Sequence, residues 1–348
     1  MSERYIIDYV NPDAGVGHSI GLINQALKIS IRNNVALAFS EAQLQKPSSS
    51  DLIWRLKKIR KILSGKKPNE THNLSNDLNY LFALSSFLPN RIEIEKKVSS
   101  GALKLIRISA PNIPIPSNSQ DDDSVYAEID TLISKVGRMQ IAFKLENRDY
   151  GDYEYYSTRD WFINTYTNAR LKNPIPLSYQ KDRLNIAVHI RRGDLLPGRQ
   201  FSDLSNRMLP DSWYIEVINS VLESVNLKFA IHIFSEGENG IYHSELGIPC
   251  NWNNYFPNTT HEIHELIDTS FTSTFHHLIE ADILIGSKSG MTHLAAMLSK
   301  NIKIVPKMWH SYRGSPNVLE LSEKDVHPKK IITEFLQKLG NASPIQSK

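Results

Sequence analysis

One segment of this chain carries a pair of arginines directly after an apolar, strand-like run. In HIRRGD, Arg191 and Arg192 are followed by Gly193 and Asp194. Guanidinium groups are permanently charged and bind phosphate oxygens in pairs, and a glycine lets the backbone approach a ligand closely. We therefore predict a diphosphate site here. An internal ion pair between an arginine and Asp194 is the other interpretation of the same residues.

A second segment, SKSGMT, lies between an apolar run and a helical segment. The hydroxyls of Ser287 and Ser289 and the first amides of the helix, at Gly290 and Met291, form the kind of helix start that binds anions. Capping of the helix by Ser289 or Thr292 explains the same residues without a ligand. On one sheet with HIRRGD, this turn could hold the second phosphate of a nucleotide-sugar.

A third segment, DAGVGH, follows the first strand-like run of the chain. Asp13 and His18 are candidates for a general base, and Gly15 and Gly17 make a flexible turn near substrate. The third glycine of a dinucleotide fingerprint is missing, and the chain has no Walker A sequence. These absences argue against a nicotinamide enzyme and a P-loop NTPase.

Other patterns indicate neither a metal site nor a cofactor. In HEIHE, His261 and His264 are three residues apart, whereas a zinc-protease helix places its histidines four apart. The acidic run from Asp121 to Asp123 lies in a polar, proline-rich loop, which favours a solvated turn over a metal site. No Gly-X-Ser-X-Gly elbow is present, which argues against a serine hydrolase. The single cysteine, Cys250, excludes an internal disulfide and a cysteine-based zinc cluster.

Strands and helices alternate along the whole chain, which predicts parallel sheets. The first half has strands at 5–10, 35–39 and 102–109 and helices at 19–33 and 160–171. The second half has strands at 186–190, 229–234, 282–285 and 302–305 and helices at 211–225, 271–280 and 291–299. We predict an α/β fold of two Rossmann-like domains facing a cleft, 1–175 and 176–348, joined by the connector KNPIPLSYQKDR.

Composition limits the partners. Lys+Arg 40 against Asp+Glu 37 gives a net charge of +3 over 348 residues, which argues against nucleic acid as the main partner. The absence of a leader or long apolar run predicts a cytoplasmic protein. A basic cluster could contact an anionic membrane peripherally, although a solvated helix face explains it too. Its members are Lys57, Lys58, Arg60, Lys61, Lys66 and Lys67.

HIRRGD, the downstream FSEG and the block HHLIEADILIGSKSGMTHLAA together resemble the fucosyltransferase superfamily, which includes α1,2-, α1,6- and protein O-fucosyltransferases. The resemblance extends from His189 to Val305, with a weaker match at GVGH. It implies the GT-B arrangement of two Rossmann-like domains, GDP-fucose as donor, inversion of the anomeric centre and no metal cofactor.

The resemblance also implies roles for individual residues. Arg191 would bind the GDP phosphates and offset the charge of the leaving group. His189 would lie near guanine or ribose, and Asp194 would orient the arginine loop. Arg192, counted with the substrate-binding residues, looks more structural. The turn holding the diphosphate would consist of Ser287, Ser289, Gly290, Met291 and Thr292.

Two positions depart from the family pattern. Thr274, with His276 and His277 nearby, stands where α1,6-type enzymes have a guanine-reading aspartate. Arg199 or its neighbours stand where those enzymes have a glutamate proposed as base. The donor base and the general base are therefore both open, and the candidate bases are Asp13, His18 and Asp203.

The sequence thus predicts an inverting, metal-independent glycosyltransferase that moves fucose from GDP-fucose to a hydroxyl of a saccharide or glycoconjugate, as in polysaccharide biosynthesis. One alternative keeps the reaction and changes the nucleotide-sugar. Another is a non-catalytic nucleotide- or glycan-binding protein that retains the arginines without a working base.

Overall fold

The computed structural model describes residues 3–8, 16–39, 74–109, 124–137, 139–146, 154–199, 202–225, 227–257, 261–325 and 328–342. The chain divides into two compact units. The first comprises 1–153 and 160–174, and the second comprises 154–159 and 175–348. The short segment 154–159 therefore belongs to the second unit although it precedes a helix of the first. The basic cluster at 57–67 lies outside the described residues.

The first unit contains a four-stranded parallel sheet in the order β2-β1-β4-β3. Its strands are β1 (Arg4–Ile7), β2 (Ala36–Ala38), β3 (Lys104–Ser109) and β4 (Ile141–Glu146). Tyr5 pairs with Ala36 on one side and with Ala142 on the other. Ile6 and Phe143 are fully buried in the core.

The helices of the first unit are α1 (Val16–Asn33), α2 (Leu74–Phe82), α3 (Leu84–Phe87), α4 (Arg91–Ser99), α5 (Ser124–Lys135) and α6 (Arg159–Lys172). Helix α1 is predicted from apolar residues at helical spacing. Three of them, Ile20, Ile23 and Leu27, are buried, whereas the fourth, Ile31 in the last turn, is exposed. In α6, the Phe162 ring packs edge-on against Phe82 of α2 at 5.5 Å, which joins α6 to this unit.

The second unit contains a six-stranded parallel sheet in the order β10-β9-β8-β5-β6-β7. Its strands are β5 (Leu184–Ile190), β6 (Phe229–Ser235), β7 (Glu262–Ile267), β8 (Ile283–Ile285), β9 (Ile302–Pro306) and β10 (Val318–Leu321). This is the strand order of a Rossmann fold. All strands are parallel, and the order in which successive strands are added to the sheet reverses between β5 and β8. Ligands of such sheets bind at the carboxyl edge beside that reversal.

The helices of the second unit are α7 (Asp211–Ser224), α8 (Phe271–Glu280), α9 (Gly290–Leu298) and α10 (Pro328–Ala342), with 3-10 helices at Gly193–Leu195, Ser202–Arg207 and Trp252–Tyr255. Every residue of β5 and β6 is buried, as expected of central parallel strands. The predicted α/β class with Rossmann-like domains is confirmed. None of the described helices combines the length and apolar character needed to cross a bilayer.

Strand β7 replaces the helix that HEIHE superficially suggests. It pairs in parallel with β6, through His232 opposite His264, and forms one edge of the sheet. All six of its residues are half-buried. An edge strand with charged residues on both faces lacks the apolar alternation that identifies a strand, which is why the sequence did not predict it.

Candidate active site

The two segments with phosphate-binding chemistry meet at the carboxyl edge of the second sheet. Strand β5 pairs directly with β8, with Val188 opposite Ile285. Arg191 follows β5, and the turn 286–289 follows β8 before α9 begins at Gly290. Both segments therefore leave the sheet at the reversal point between β5 and β8.

A buried polar cluster joins the two strand ends. His189 Nδ1 lies 2.5 Å from Thr292 Oγ1 and 2.9 Å from Ser287 Oγ, and the two hydroxyls are 3.2 Å apart. Burial, followed by the charge of Arg191, lowers the pKa of His189 to about 3, so its ring is neutral at pH 7. This cluster connects the arginine strand to the first turn of α9.

The predicted ligand-binding residues His189, Ser287 and Thr292 are thus the three members of one buried cluster. All three side chains are buried, and their polar atoms bond to one another. Buried polar groups need such partners, and here the partners are internal. Their mutual contacts position the two strand ends, and their contact with a ligand stays a prediction.

The start of α9 retains its capacity to bind an anion. Ser289 caps the helix, with its Oγ accepting a hydrogen bond from Met291 N at 3.2 Å, and Gly290 and Met291 are partly accessible. A Cβ on Gly286 would lie 2.4 Å from Thr292 Cγ2, so only glycine lets β8 and α9 approach this closely. The positive end of the helix dipole thus points to the same edge as Arg191.

Arg191 is the accessible arginine of the pair. Its side chain is 22% exposed, and its Nη2 donates to Asp194 Oδ2 at 3.0 Å. A guanidinium carries five N–H donors in a planar fork. One bond to a partly exposed carboxylate therefore fixes the orientation of Arg191 and leaves donors for a phosphate.

Arg192 points into the protein. It is fully buried, its Nη2 donates to Asp211 Oδ1 at 2.5 Å, and the rings of Tyr214 and Tyr242 lie 6.0 and 5.8 Å from its guanidinium carbon. Tyr242 also donates to the Asp211 carboxylate. Arg192 Nη1 in turn donates to the carbonyl of Arg191 at 3.0 Å. Its burial and internal partners favour the structural role that the resemblance implies for Arg192, and its binding role stays a prediction.

Glu236 is a site residue that the sequence did not single out. Ile190 pairs with Ser235, so the next residues, Arg191 and Glu236, leave neighbouring strands together. Gly193 has a left-handed φ of +38°, and a Cβ built on it would lie 2.1 Å from Glu236 Oε2. Glycine at 193 therefore makes room for this carboxylate.

The surroundings of Glu236 make it a weak acid. Although the residue is exposed, the protein around the carboxylate desolvates it, and Asp194 adds repulsion. Together they raise its pKa to about 7 in spite of the opposing charge of Arg191. Within the described part of the chain its carboxylate has no hydrogen-bond or ion-pair partner. The signal that could have found it was a carboxylate directly after a buried strand, in FSEG.

The two remaining predicted residues of α8 have different surroundings. Thr274, in the first turn, has its Oγ1 2.8 Å from Thr269 Oγ1. His277 Nε2 accepts from the backbone N–H of Ser178 at 3.0 Å, and its Nδ1 lies 2.8 Å from the carbonyl of Ser273. His277 thus holds the connector that precedes β5 through both ring nitrogens, and its contact with substrate stays a prediction.

Several candidates cannot be placed. Asp13 and Gly15 lie outside the described residues, and so do the side chains of His18 and Asp203. Gly17 is in the first turn of α1. Among the residues that the structure describes, no group of three or more His, Cys, Asp or Glu could hold a metal ion.

No protein-family model and no curated protein sequence matches this chain. Among solved structures it is similar to Escherichia coli heptosyltransferase WaaC with ADP, at 12% identity, 96% and 98% coverage of the two chains and a TM-score of 0.42. It is also similar to POFUT1 in complex with GDP-fucose, at 11% identity, 92% and 99% coverage of the two chains and a TM-score of 0.49. For a family 9 glycosyl transferase from Veillonella parvula these values are 11%, 100%, 93% and 0.40. At such identities the likeness concerns the fold alone.

Proposed function

We propose that this protein is an inverting glycosyltransferase that moves fucose from GDP-fucose to a hydroxyl of a saccharide or glycoconjugate. One observation carries the proposal. The contacts of His189 with Ser287 and Thr292 join the end of β5, which Arg191 follows, to the start of α9 at the point where the strand order of a Rossmann-type sheet reverses. A guanidinium and a helix start together suit the two phosphates of a nucleoside-diphosphate sugar.

The chemistry follows from where charge develops. As the bond between the sugar C1 and the β-phosphate oxygen breaks, its electron pair stays on the diphosphate. The acceptor oxygen attacks C1 from the opposite face, forms the new bond and gives its proton to a base. Arg191, the backbone amide of Gly290 and the positive end of the α9 dipole stabilise the departing diphosphate, because their positive charge is already in place.

Glu236 joins Asp13, His18 and Asp203 as a candidate base. Its carboxylate has no partner within the described residues, lies beside Arg191 and has a pKa near 7. A base with a pKa close to the working pH balances ionisation against proton affinity. Arg199, at the position of the base in related sequences, is paired with the exposed Glu238 at 2.9 Å and cannot serve.

We further propose that the reaction needs no divalent metal, because Arg191 and the α9 start supply the neutralising charge. Turnover is then expected to be unchanged by EDTA and not stimulated by Mg²⁺. Loss of activity on chelation, restored by Mg²⁺, would contradict this part of the proposal.

The choice of GDP-fucose is supported by the order of HIRRGD, FSEG and the later SKSGMT block along the chain. A second candidate keeps the reaction and changes the nucleotide-sugar. It is favoured by Thr274, whose hydroxyl bonds to Thr269 at the position where a guanine-reading aspartate is expected.

The test is a thermal-shift panel of GDP, UDP, CMP and ADP with and without Mg²⁺, followed by transfer assays with the sugar donor of the nucleotide that binds. A metal-indifferent shift specific to GDP supports the proposal, another nucleotide favours the second candidate, and no shift overturns the diphosphate site. Binding without turnover would indicate a non-catalytic protein.

Arg191→Ala should lower turnover by about 10²-fold or more. The matched control is Arg183→Ala, which removes an arginine from the opposite end of the same strand, where Arg183 pairs with Glu262 at 2.9 Å. Near wild-type turnover of a folded Arg191→Ala variant would overturn the assignment.

A further inference from the structure

An accessible aromatic ring lies just beyond the carboxyl end of β9. Trp309 is 47% exposed, and the guanidinium carbon of Arg207 lies 4.7 Å from its ring centroid. Arg207 ends the 3-10 helix in the loop that follows β5. Among the described residues no carboxylate pairs with Arg207. The two side chains therefore present a flat apolar ring together with a positive charge that is not neutralised there; we call them the Arg207–Trp309 platform.

The Arg207–Trp309 platform adjoins the candidate diphosphate site. Lys288, in the turn before α9, donates to the carbonyl of Asn206 at 3.2 Å, which places the residue next to Arg207 against that turn. Strand β9 pairs with β8 on the side opposite β5. The platform thus lies on one side of the diphosphate site, and Glu236, after β6, lies on the other.

The loop that carries Trp309 is held in place by contacts with α9. His310 is buried and stacks on His293 of α9, with ring centroids 4.5 Å apart and planes 4° from parallel. His293 Nε2 also bonds to the carbonyl of Ser311 at 2.6 Å. Burial lowers the pKa of both histidines, so the stack carries no charge at pH 7. The exposure of Trp309 is therefore a property of an anchored loop.

The chemistry of the platform favours a sugar with an acidic group. The C–H face of a pyranose ring packs well on an open tryptophan face, and a guanidinium free of carboxylates binds carboxylate, sulfate or phosphate. The resemblance places Thr274 where α1,6-type enzymes read guanine, and Thr274 follows β7. The nucleobase is therefore expected on the side of the diphosphate site away from the Arg207–Trp309 platform. Resting on the proposed function, we infer that Trp309 and Arg207 form an acceptor subsite for a saccharide ring that carries an anionic substituent.

The test measures binding of defined oligosaccharides by titration calorimetry and saturation-transfer NMR. Trigalacturonate and 3′-sialyllactose are the acidic probes, and maltotriose and lactose are the neutral ones. We expect the protein to bind an acidic probe in preference to the neutral ones, more weakly as salt is raised. Trp309→Ala and Arg207→Gln should each weaken that binding by about tenfold or more, and Trp309→Phe should retain most of it. Leu246→Ala, which trims another exposed apolar side chain of the same unit, is the control and should change nothing.

The inference would be overturned if no acidic probe bound, if neutral probes bound equally well, or if the two variants bound like the unchanged protein. Nucleotide thermal shifts on the same variants separate this inference from the proposed function. Trp309→Ala should keep the nucleotide shift, whereas Arg191→Ala should lose it. Loss of the nucleotide shift in Trp309→Ala would assign the ring to the donor base and overturn the acceptor role.

Discussion

His189 Nδ1 lies 2.5 Å from Thr292 Oγ1, although the two residues are 103 positions apart in the chain. One ends a central strand and the other is in the first turn of α9. This contact joins the end of β5 to the start of α9, the two segments whose residue types suit an anion. The stability of the second unit and the geometry of the candidate site therefore depend on the same buried cluster.

Replacing His189 with leucine leaves the hydroxyls of Ser287 and Thr292 buried without their imidazole partner. We expect a loss of about 1–3 kcal/mol in the free energy of unfolding, together with a smaller nucleotide thermal shift. Urea unfolding measures the first effect. In combination with Thr292→Val the losses should be less than additive, because both variants break the same contact. Strict additivity would show that the contact contributes nothing.

Gly286→Ala should displace α9 from β8, because the new methyl carbon would lie 2.4 Å from Thr292 Cγ2 and 3.0 Å from Val305 Cγ1. Overpacking of this kind costs about 1–3 kcal/mol of stability. Thr292→Ser removes the closer methyl group and keeps the hydroxyl that contacts His189. The double variant should therefore recover part of the stability and of the nucleotide shift. No recovery would mean that the strain lies elsewhere.

Asp211→Ala should be among the most destabilising substitutions in the second unit. It leaves the fully buried Arg192 without its main charge partner, and breaking a buried pair in this way costs about 3–5 kcal/mol. Replacing both residues, as Arg192→Met with Asp211→Leu, should restore only part of that loss, because the unpaired charge is removed while the Tyr242 hydroxyl and the Arg191 carbonyl lose their partners. The matched control is Glu238→Ala, which removes an exposed pair with Arg199 and should cost less than about 1 kcal/mol. Equal losses in both pairs would contradict the buried geometry.

Glu236→Gln should change stability in a pH-dependent way. The folded protein raises the pKa of Glu236 from 4.5 to about 7, so the folded state binds this proton more tightly than the unfolded state does. The contribution of the group is fully present below about pH 4.5 and is lost as the pH rises through about 7. Thermal unfolding should therefore show the glutamine variant more stable than the unchanged protein at high pH and no more stable at low pH. A difference independent of pH would contradict the raised pKa.

If Glu236 is the base, it must be ionised to accept the acceptor proton. Transfer activity should then rise as the pH increases through about 7, and Glu236→Gln should remove that limb of the profile. A variant that keeps both the limb and the rate would return the role to Asp13, His18 or Asp203.

The sequence predicted two segments at strand ends, and the structure brings those ends together, because buried parallel strands are continuous apolar runs and a serine before a helix is a local cap signal. It could not assign directions to side chains. Arg191 and Arg192 are chemically identical in the sequence, and only the burial of Asp211 and Tyr242 around Arg192 separates their roles. Those partners come from later, distant segments.

The same limit applies to the hydroxyl and imidazole groups of the site. His189, Ser287 and Thr292 are the residue types that contact nucleotides, yet each is buried and bonds to another member of the set. Satisfaction of buried polar groups is a property of the packed structure, so no local pattern could reveal it. Glu236 was missed because its environment comes from another segment, the loop after β5 with Arg191, Gly193 and Asp194.

The two adjacent arginines also determine how this loop can tolerate change in length. Arg192 anchors the loop by donating to the Arg191 carbonyl while its own charge is held by Asp211 at the start of α7. A deletion of one residue between Ile190 and Gly193 would leave a single arginine for two positions, the buried one that Arg192 occupies and the partly exposed one that Arg191 occupies. The loop could then keep either its anchor or its ligand-facing charge. The two arginines are therefore not interchangeable. Loss of Arg192 is expected to destabilise the fold, whereas loss of Arg191 is expected to impair ligand binding in a folded protein.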